Sequence, residues 1–416
     1  MMDLSNKKVL FYDLGIFSCI AERLGRDFSK VYYFTPWVEA FPGSTKALLG
    51  TGFENMEKIK YFWDYVDKVD LIVMPDTHCH DIYSFLKERG YPVAGVGEAE
   101  VLELDRVRGR DEQRKAGLPT QKTIVVKGLD ELRETLTKFK DKYVKLNTFR
   151  GDIESFPDED YKYVEPLLNK LAVKLGPFAP SIDFIVEDRI KGIEPGIDAI
   201  LYKGQVVSPT MVGFEVKGAG YIAKVMDYSE VPEPLKLVSD KLEPILKKMD
   251  YNFFFSSEVM CTLKGEGYMI DFCCRMAAPV PSAIQTELIK NYSEIMWGMG
   301  HGEKVIPEYT AKFGGGAAFY SSWAEMGDWL NVSIDKKEKQ WIKFREAVKC
   351  GKEYYAVPGA STVCTAIATG DSAEEVMLKV KERSESVKAY QLDKSSEEFI
   401  EIKEILEEAK KYGFIF

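Results

Sequence analysis

Apolar positions along this 416-residue chain fall into short runs separated by polar, glycine-containing turns. In the first hundred residues "KKVLFYDL", "KVYYFTP", "VDLIVMPD" and "YPVAGVG" are apolar and rich in aromatics. "HDIYSFLKERG" stands between the last two with helical spacing and ends in Gly90. Strand and helix signals that alternate in this way predict βα units around a parallel sheet. Such sheets hold ligands outside the carboxyl ends of their strands. The stretches Asp13 to Ser18 and Asp76 to His80 are therefore candidate ligand loops.

The pattern changes after residue 100. "VLELDRVRGRDEQRKAG" predicts one helix, stopped by Gly117 and Pro119. "KTIVV", "KYVKLN" and "DFIVEDRI" predict strands, and "DAILYKGQVVS" a hairpin turning at Lys203-Gly204. "PLKLVSDKLEPILKKM" has the spacing of an amphipathic helix. "FFFSSEVMCTLKGEGYMIDFCCR" reads as two strands joined by a turn at Lys264 to Gly267, followed by a helix near "SAIQTELIKNYSEIMWG". A third part opens near "KFGGGAAFYSS" and holds an apolar strand, "STVCTAIATG". The next segment, "DSAEEVMLKVKERSESV", has capping-box spacing at Ser372 and Glu375, which predicts a helix start. The tail "SSEEFIEIKEILEEAKKYG" predicts a charged, solvated surface helix. No internal repeat or low-complexity linker interrupts the chain. The expected parts are 1–102, 103–305 and 306–416, within the two to four domains expected at roughly 150 residues each.

Composition narrows the partners. The chain is 45% hydrophobic and 29% charged with a net charge of −10. That is ordinary for a globular protein and lacks the basic footprint of a nucleic-acid binder. No apolar run reaches the roughly 18 residues of a spanning helix, and the N-terminus has no secretory h-region. A cytoplasmic protein with no membrane partner is expected. Its seven cysteines have no framework spacing, so reduced thiols are expected. His78, Cys79 and His80 could suggest zinc, but the one remaining histidine is His301 and no CxxC exists. A substrate-facing loop is the better reading, because a structural zinc site needs four ligands. The aromatics of "YNFFFSS" are read as core, and Cys274 as a small buried apolar group.

The chemistry concentrates in the middle of the chain. Glu258 and Asp271 lie on two strands joined by a tight turn, which brings both carboxylates to one cleft. Two converging acids suit Mg²⁺, which uses one or two carboxylates together with substrate phosphates. Lys145, inside the apolar strand "KYVKLN", is placed to meet an anion. Glu187 and Glu194 sit at a strand end and past a glycine turn, and Arg106 follows an acid at the start of a helix closing in "GLPT". No catalytic-triad spacing is present.

This ordered set resembles an ATP-grasp ligase over most of residues 100 to 300. The set runs from "DR" before "GLPT" through the strand lysine and Glu-x6-Glu around "KGIE" to acid-x12-acid ending in "IDFCCR". The whole chain is most similar to the glycinamide ribonucleotide synthetase (phosphoribosylamine–glycine ligase) family, whose C-terminal strand-then-helix signature "STVCTAIATGDSAEEVMLKVKERSESV" is similar to. The resemblance implies an α/β and α+β multidomain fold. A Rossmann-like N-terminal domain (1–102) would precede an ATP-grasp core (103–305) and a small C-terminal α/β domain (306–416). It implies ATP and Mg²⁺, with Mn²⁺ as an alternative, and small-molecule carboxylate and amine substrates joined with release of ADP; homo-oligomerisation is left open. It further implies that Arg106 and Lys145 contact ATP phosphates, with Lys217 in "EVKGAG" as a further contact. Glu187 would lie on the hinge strand whose backbone reads the adenine, and Glu194 would hold the ribose hydroxyls. Glu258 and Asp271 would bind Mg²⁺, and Arg275 would act catalytically with Lys145 on the reacting phosphoryl and acyl groups.

Three positions depart from that family's pattern. Cys273 stands where an asparagine metal ligand is usual, and a soft thiol suits Mg²⁺ poorly. The loop "NTFRGDIESF" keeps only Gly151 of the usual glycines, with Arg150 as a substitute phosphate contact. The N-terminal phosphate loop is replaced by "YDLGIFSC", and the substrate loop after Lys217 lacks the usual pattern, which leaves the substrates open. The rival readings are an ATP-grasp ligase of peptide or nucleotide-modification type and a nucleotide-binding pseudo-ligase serving as an interaction module.

Overall fold

The fold was analysed in a computed structural model that describes residues 2–148, 155–158, 160–216, 218–360, 362–394 and 398–416. The N-terminal apolar runs form strands β1 (Lys8–Tyr12), β2 (Lys30–Phe34), β3 (Glu57–Lys58), β4 (Leu71–Met74) and β5 (Val93–Gly95). They pair in parallel in the order β3-β2-β1-β4-β5. Burial on both faces explains their continuous apolar character. Both candidate ligand loops leave the carboxyl ends of neighbouring strands, β1 and β4. The first is locked by its own acid. Asp13 accepts from the backbone N–H groups of Gly15, Ile16 and Phe17 at 2.8, 3.0 and 3.0 Å and from the Tyr33 hydroxyl at 2.7 Å.

The helix expected over "VLELDRVRGRDEQRKAG" is two helices, Glu100–Leu104 and Arg106–Lys115. Asp105 takes an extended conformation between them, and its side chain accepts from the N–H of Arg108 at 3.1 Å. An N-cap acid therefore restarts the helix at Arg106. The helix expected near "SAIQTELIKNYSEIMWG" is likewise divided, into Val280–Leu288 and Tyr292–His301.

Next comes a small antiparallel sheet, β6 (Thr123–Lys127), β7 (Lys142–Leu146), β8 (Ser155–Asp158) and β9 (Asp183–Asp188), in the order β6-β9-β7-β8. Helices Gly128–Lys138 and Tyr161–Leu175 cover it through Leu132, Leu136, Leu168 and Leu171.

The middle of the chain then supplies β10 (Pro195–Tyr202), β11 (Gln205–Val206), β12 (Thr210–Val216), β13 (Gly220–Met226), β14 (Phe254–Cys261) and β15 (Gly267–Cys273). The last part supplies β16 (Phe313–Ser321), β17 (Leu330–Ser333), β18 (Ile342–Phe344), β19 (Ala347–Cys350), β20 (Glu353–Ala356), β21 (Cys364–Gly370), β22 (Lys388–Ala389) and β23 (Leu392–Asp393). One large antiparallel sheet runs β15-β14-β10-β12-β13-β16-β21-β18, and β19-β20-β17-β22 form a smaller one. Pairing of Gly220 with Ala317 carries the large sheet across residue 305. Ser372 caps helix Ala373–Glu385 by accepting from the N–H of Glu375 at 3.2 Å, as the capping-box spacing predicts. The tail helix, Ile402–Ala409, is docked on the fold. Ile402 and Ala409 are buried, and Phe414 lies 5.7 Å from Phe214, ring to ring.

Candidate active site

A cavity of about 660 Å³ opens between the small sheet, helix Arg106–Lys115 and one face of the large sheet. Alternation along the strands builds its floor. Gly196 pairs with Glu258, and Glu258 with Asp271. In the next row Asp198 pairs with Ser256, and Ser256 with Cys273. All six line the cavity. Arg106, Lys145, Glu187, Glu194, Glu258, Asp271 and Arg275, singled out from sequence, converge on it. Lys217, Arg150 and Gly151 lie outside the described residues.

Two cations of the cavity, Lys145 and Arg106, meet Asp271. Lys145 Nζ donates to Asp271 Oδ2 at 2.7 Å, and Arg106 Nε lies 3.6 Å from Asp271 Oδ1. Burial alone pushes the Asp271 carboxyl up, but Lys145, Arg106 and Arg110 outweigh it and hold the group below the usual carboxylate range. Lys145 is 1% exposed, and its second acceptor is the Ile270 carbonyl at 3.0 Å. That carbonyl is available because the ladder of β14 and β15 shifts register there. Glu258 faces Asp271 while Val259 faces Met269, so Ile270 is the extra residue of a β-bulge. A bulge leaves its extra residue outside the ladder.

Arg110 uses the same carbonyl, at 2.5 Å, and grips Glu187 through Nε and Nη2 at 2.6 and 2.8 Å. Thr123 adds a hydrogen bond to Glu187 at 3.0 Å. The Glu187 carboxylate is thus held by three side-chain donors. Burial pushes this carboxyl up, yet the hydrogen bond and charge of Arg110 bring it below its ordinary value. Arg110 thus joins helix Arg106–Lys115 to β9 and β15. Sequence reasoning missed it, although it stands one helical turn after Arg106, on the same face.

Arg275 is held from the N-terminal side. Its Nε lies 2.9 Å from Glu103 and 3.7 Å from Asp76, in the second candidate ligand loop. Glu103 also accepts from the N–H of Cys274 at 3.1 Å. Cys274 is fully buried, as expected, and desolvation pushes its thiol up. Cys273, half-buried, faces the cavity beside the acids. The residues Phe253 to Phe255 are core, as expected.

Asp198 and Tyr221 were also not foreseen. Asp198 is 4% exposed and accepts from Tyr221, which reaches it from β13 across Gly213 of β12. A Cβ at Gly213 would stand 2.1 Å from the Tyr221 hydroxyl. Burial pushes the Asp198 carboxyl up to about 6, against hydrogen bonds from Tyr221 and Ser256. A lone acid inside the apolar run "GIDAILY" was the available signal.

Fixed cations beside paired carboxylates suit phosphoryl transfer, which needs positioning and charge neutralisation more than covalent chemistry. The donor set also fits Mg²⁺. Two carboxylates face each other, and among the described residues no group of three or more His, Cys, Asp or Glu could hold a metal by itself. Mg²⁺ bound through one or two carboxylates and substrate phosphates needs no such cage.

No protein-family model and no curated protein matches the chain. Solved structures do. Phosphoribosylamine–glycine ligase from Thermotoga maritima superposes with a TM-score of 0.70 at 17% identity, covering 93% of this chain and 98% of its own. The biotin carboxylase domain of Hydrogenobacter thermophilus 2-oxoglutarate carboxylase, solved with MgADP, ADP and bicarbonate, gives 0.66 at 14% identity over 98% and 96%. L-amino acid ligase from Bacillus licheniformis gives 0.60 at 15% identity over 93% and 99%. All three are ATP-grasp enzymes. At these identities the likeness is one of architecture, and the chain has the ATP-grasp fold.

Proposed function

We propose that this protein is an ATP-dependent, ADP-forming carboxylate–amine ligase, similar to phosphoribosylamine–glycine ligase, that works through an acyl phosphate. The observation that carries this reading is the convergence of Arg106, Lys145, Glu187, Glu194, Glu258, Asp271 and Arg275 on one cavity. The ATP-grasp architecture shared with three ligase and carboxylase structures supports it.

In this reading Arg106 and Lys145 hold the ATP phosphates, Lys217 adds a further contact, and the backbone from Glu187 to Ile190 borders the adenine. Glu194 holds the ribose hydroxyls. Glu258 and Asp271 hold Mg²⁺ or Mn²⁺, which when bound neutralises charge on the transferring phosphoryl group. Arg275, fixed by Glu103 and Asp76, orients the carboxylate that becomes the acyl phosphate and stabilises its charge. The carboxylate displaces ADP from the γ-phosphoryl group; the amine then attacks the acyl carbon and expels phosphate. The domains are 1–102, 103–305 and 306–416. The carboxylate is that of an amino acid, and the amine acceptor a nucleotide or sugar derivative.

Incubating the protein with Mg²⁺, ATP and pooled carboxylates and amines, then measuring ADP, tests the proposal. ADP release that requires both pools and disappears in Lys145→Met is expected. Intact ADP binding without release from any pool would overturn it. The pseudo-ligase reading draws on the thiol of Cys273 beside the acids and on the glycine-poor sequence "NTFRGDIESF". Cys273→Asn separates the two, because a ligase keeps or gains ADP release and a pseudo-ligase stays inactive.

A further inference from the structure

The acids of the cavity are unevenly served. Asp271 has Lys145 and Arg106, Glu187 has Arg110, and Glu103 has Arg275. Asp198 differs. It is buried in the cavity wall, and its side-chain partners among the described residues are the hydroxyls of Tyr221 and Ser256. A buried carboxylate with only neutral partners lacks the counter-charge that buried ions ordinarily have. The surroundings are built to keep it there. Gly213 leaves the space through which Tyr221 crosses a whole strand to reach it. Gly196, opposite both Gly213 and Glu258, leaves the floor bare beside it.

We infer that Asp198, positioned by Tyr221 and Ser256, is the subsite for the ammonium group of an amino-acid substrate. The inference rests on the ligase reading for the place of the substrate carboxylate. Asp198 lies one diagonal step across β10 and β14 from Glu258, a spacing of about 7–8 Å in antiparallel sheets. An amino acid whose ammonium donates to Asp198 is therefore held beside the acids that would hold Mg²⁺, and its carboxylate, which only accepts, is left for Arg275, as in the ligase reading. The ligand cation then supplies the counter-charge that the protein withholds, through charge-assisted hydrogen bonds. A carboxylate lacking the amino group leaves Asp198 unpaired and is rejected. Asp198 is thus a specificity determinant for the carboxylate donor.

Equilibrium dialysis tests this without turnover. The full chain is dialysed with MgADP against the proteinogenic amino acids, and separately against acetate, propionate and succinate. Wild type is expected to retain one or a few amino acids and to discriminate against the amino-free acids. Asp198→Asn keeps an acceptor for both hydroxyls and is expected to weaken amino-acid retention by roughly 10- to 100-fold with ADP affinity unchanged. Equal retention by wild type and Asp198→Asn would overturn the subsite. So would retention of amino-free acids as tight as that of amino acids, or no amino acid retained by wild type. If Asp198→Asn does not fold, Tyr221→Phe decides, with a several-fold loss for amino acids expected and an unchanged profile overturning the subsite. Failure of wild type to bind ADP would overturn the ligase reading instead, and the amino-acid arm would still judge Asp198.

Discussion

Asp198 makes the sharpest stability prediction at the scale of single residues. Its carboxyl is pushed up to about 6 by burial, so the folded chain binds this proton more tightly than the unfolded chain. Ionised Asp198 therefore costs stability above pH 6, and the cost fades as pH falls from 6 toward 4. Asp198→Asn should raise Tm at pH 8, by the equivalent of about 1–3 kcal/mol, and the gain should shrink toward pH 4 in calorimetry; a gain that grows in acid contradicts the account. Gly213→Ala should cost about 1–3 kcal/mol, because its Cβ meets the Tyr221 hydroxyl. Adding Tyr221→Ala should recover part of that loss in a double-mutant cycle read by urea unfolding. Lys145 was legible in the sequence because a lysine in an apolar strand is conspicuous. The role of Asp198 is not legible there, because its partners lie on β13 and β14, far along the chain.

Among the elements, β15 does the most to shape the site. Its bulge frees the Ile270 carbonyl, which then satisfies both Lys145 and Arg110. The two strands and their turn were readable from alternation, but a bulge adds one residue without changing composition. Arg110 binds helix Arg106–Lys115, β9 and β15 together through a buried pair. Arg110→Met should destabilise the fold by about 3–5 kcal/mol, because Glu187 is left buried and unpaired. Urea unfolding checks this, and a loss under 1 kcal/mol would remove Arg110 from that role. Loss of the Asp105 cap in Asp105→Ala should cost about 1 kcal/mol. The split at Asp105 escaped sequence reading because the residues on both sides suit a helix. The cap shows only in the extended backbone of Asp105 and the N–H it accepts.

At the scale of the whole molecule, the site is assembled from segments that sequence order keeps apart. Asp76 of the loop after β4, Glu103, Lys145 of the small sheet and Asp271 of the large one all converge around Arg275 and the cavity. The order of motifs made this assembly legible as a set, and the ATP-grasp architecture follows that order. Strands were readable wherever apolar runs were continuous. The join of β13 to β16 was not, because pairing across an intervening helix, the β14–β15 hairpin and two further helices leaves no local mark. Among the described residues no helix is long and apolar enough to cross a membrane.

The central claim is that the cavity holds the phosphates of a nucleotide between Lys145, Arg106 and the acids of β14 and β15. Isothermal titration of ADP into wild type and Lys145→Met, with and without Mg²⁺, tests it most directly. The account predicts Mg²⁺-dependent binding by wild type and at least a tenfold loss in Lys145→Met, about 1.4 kcal/mol. Equal affinity in both proteins, or no binding by wild type, would contradict it.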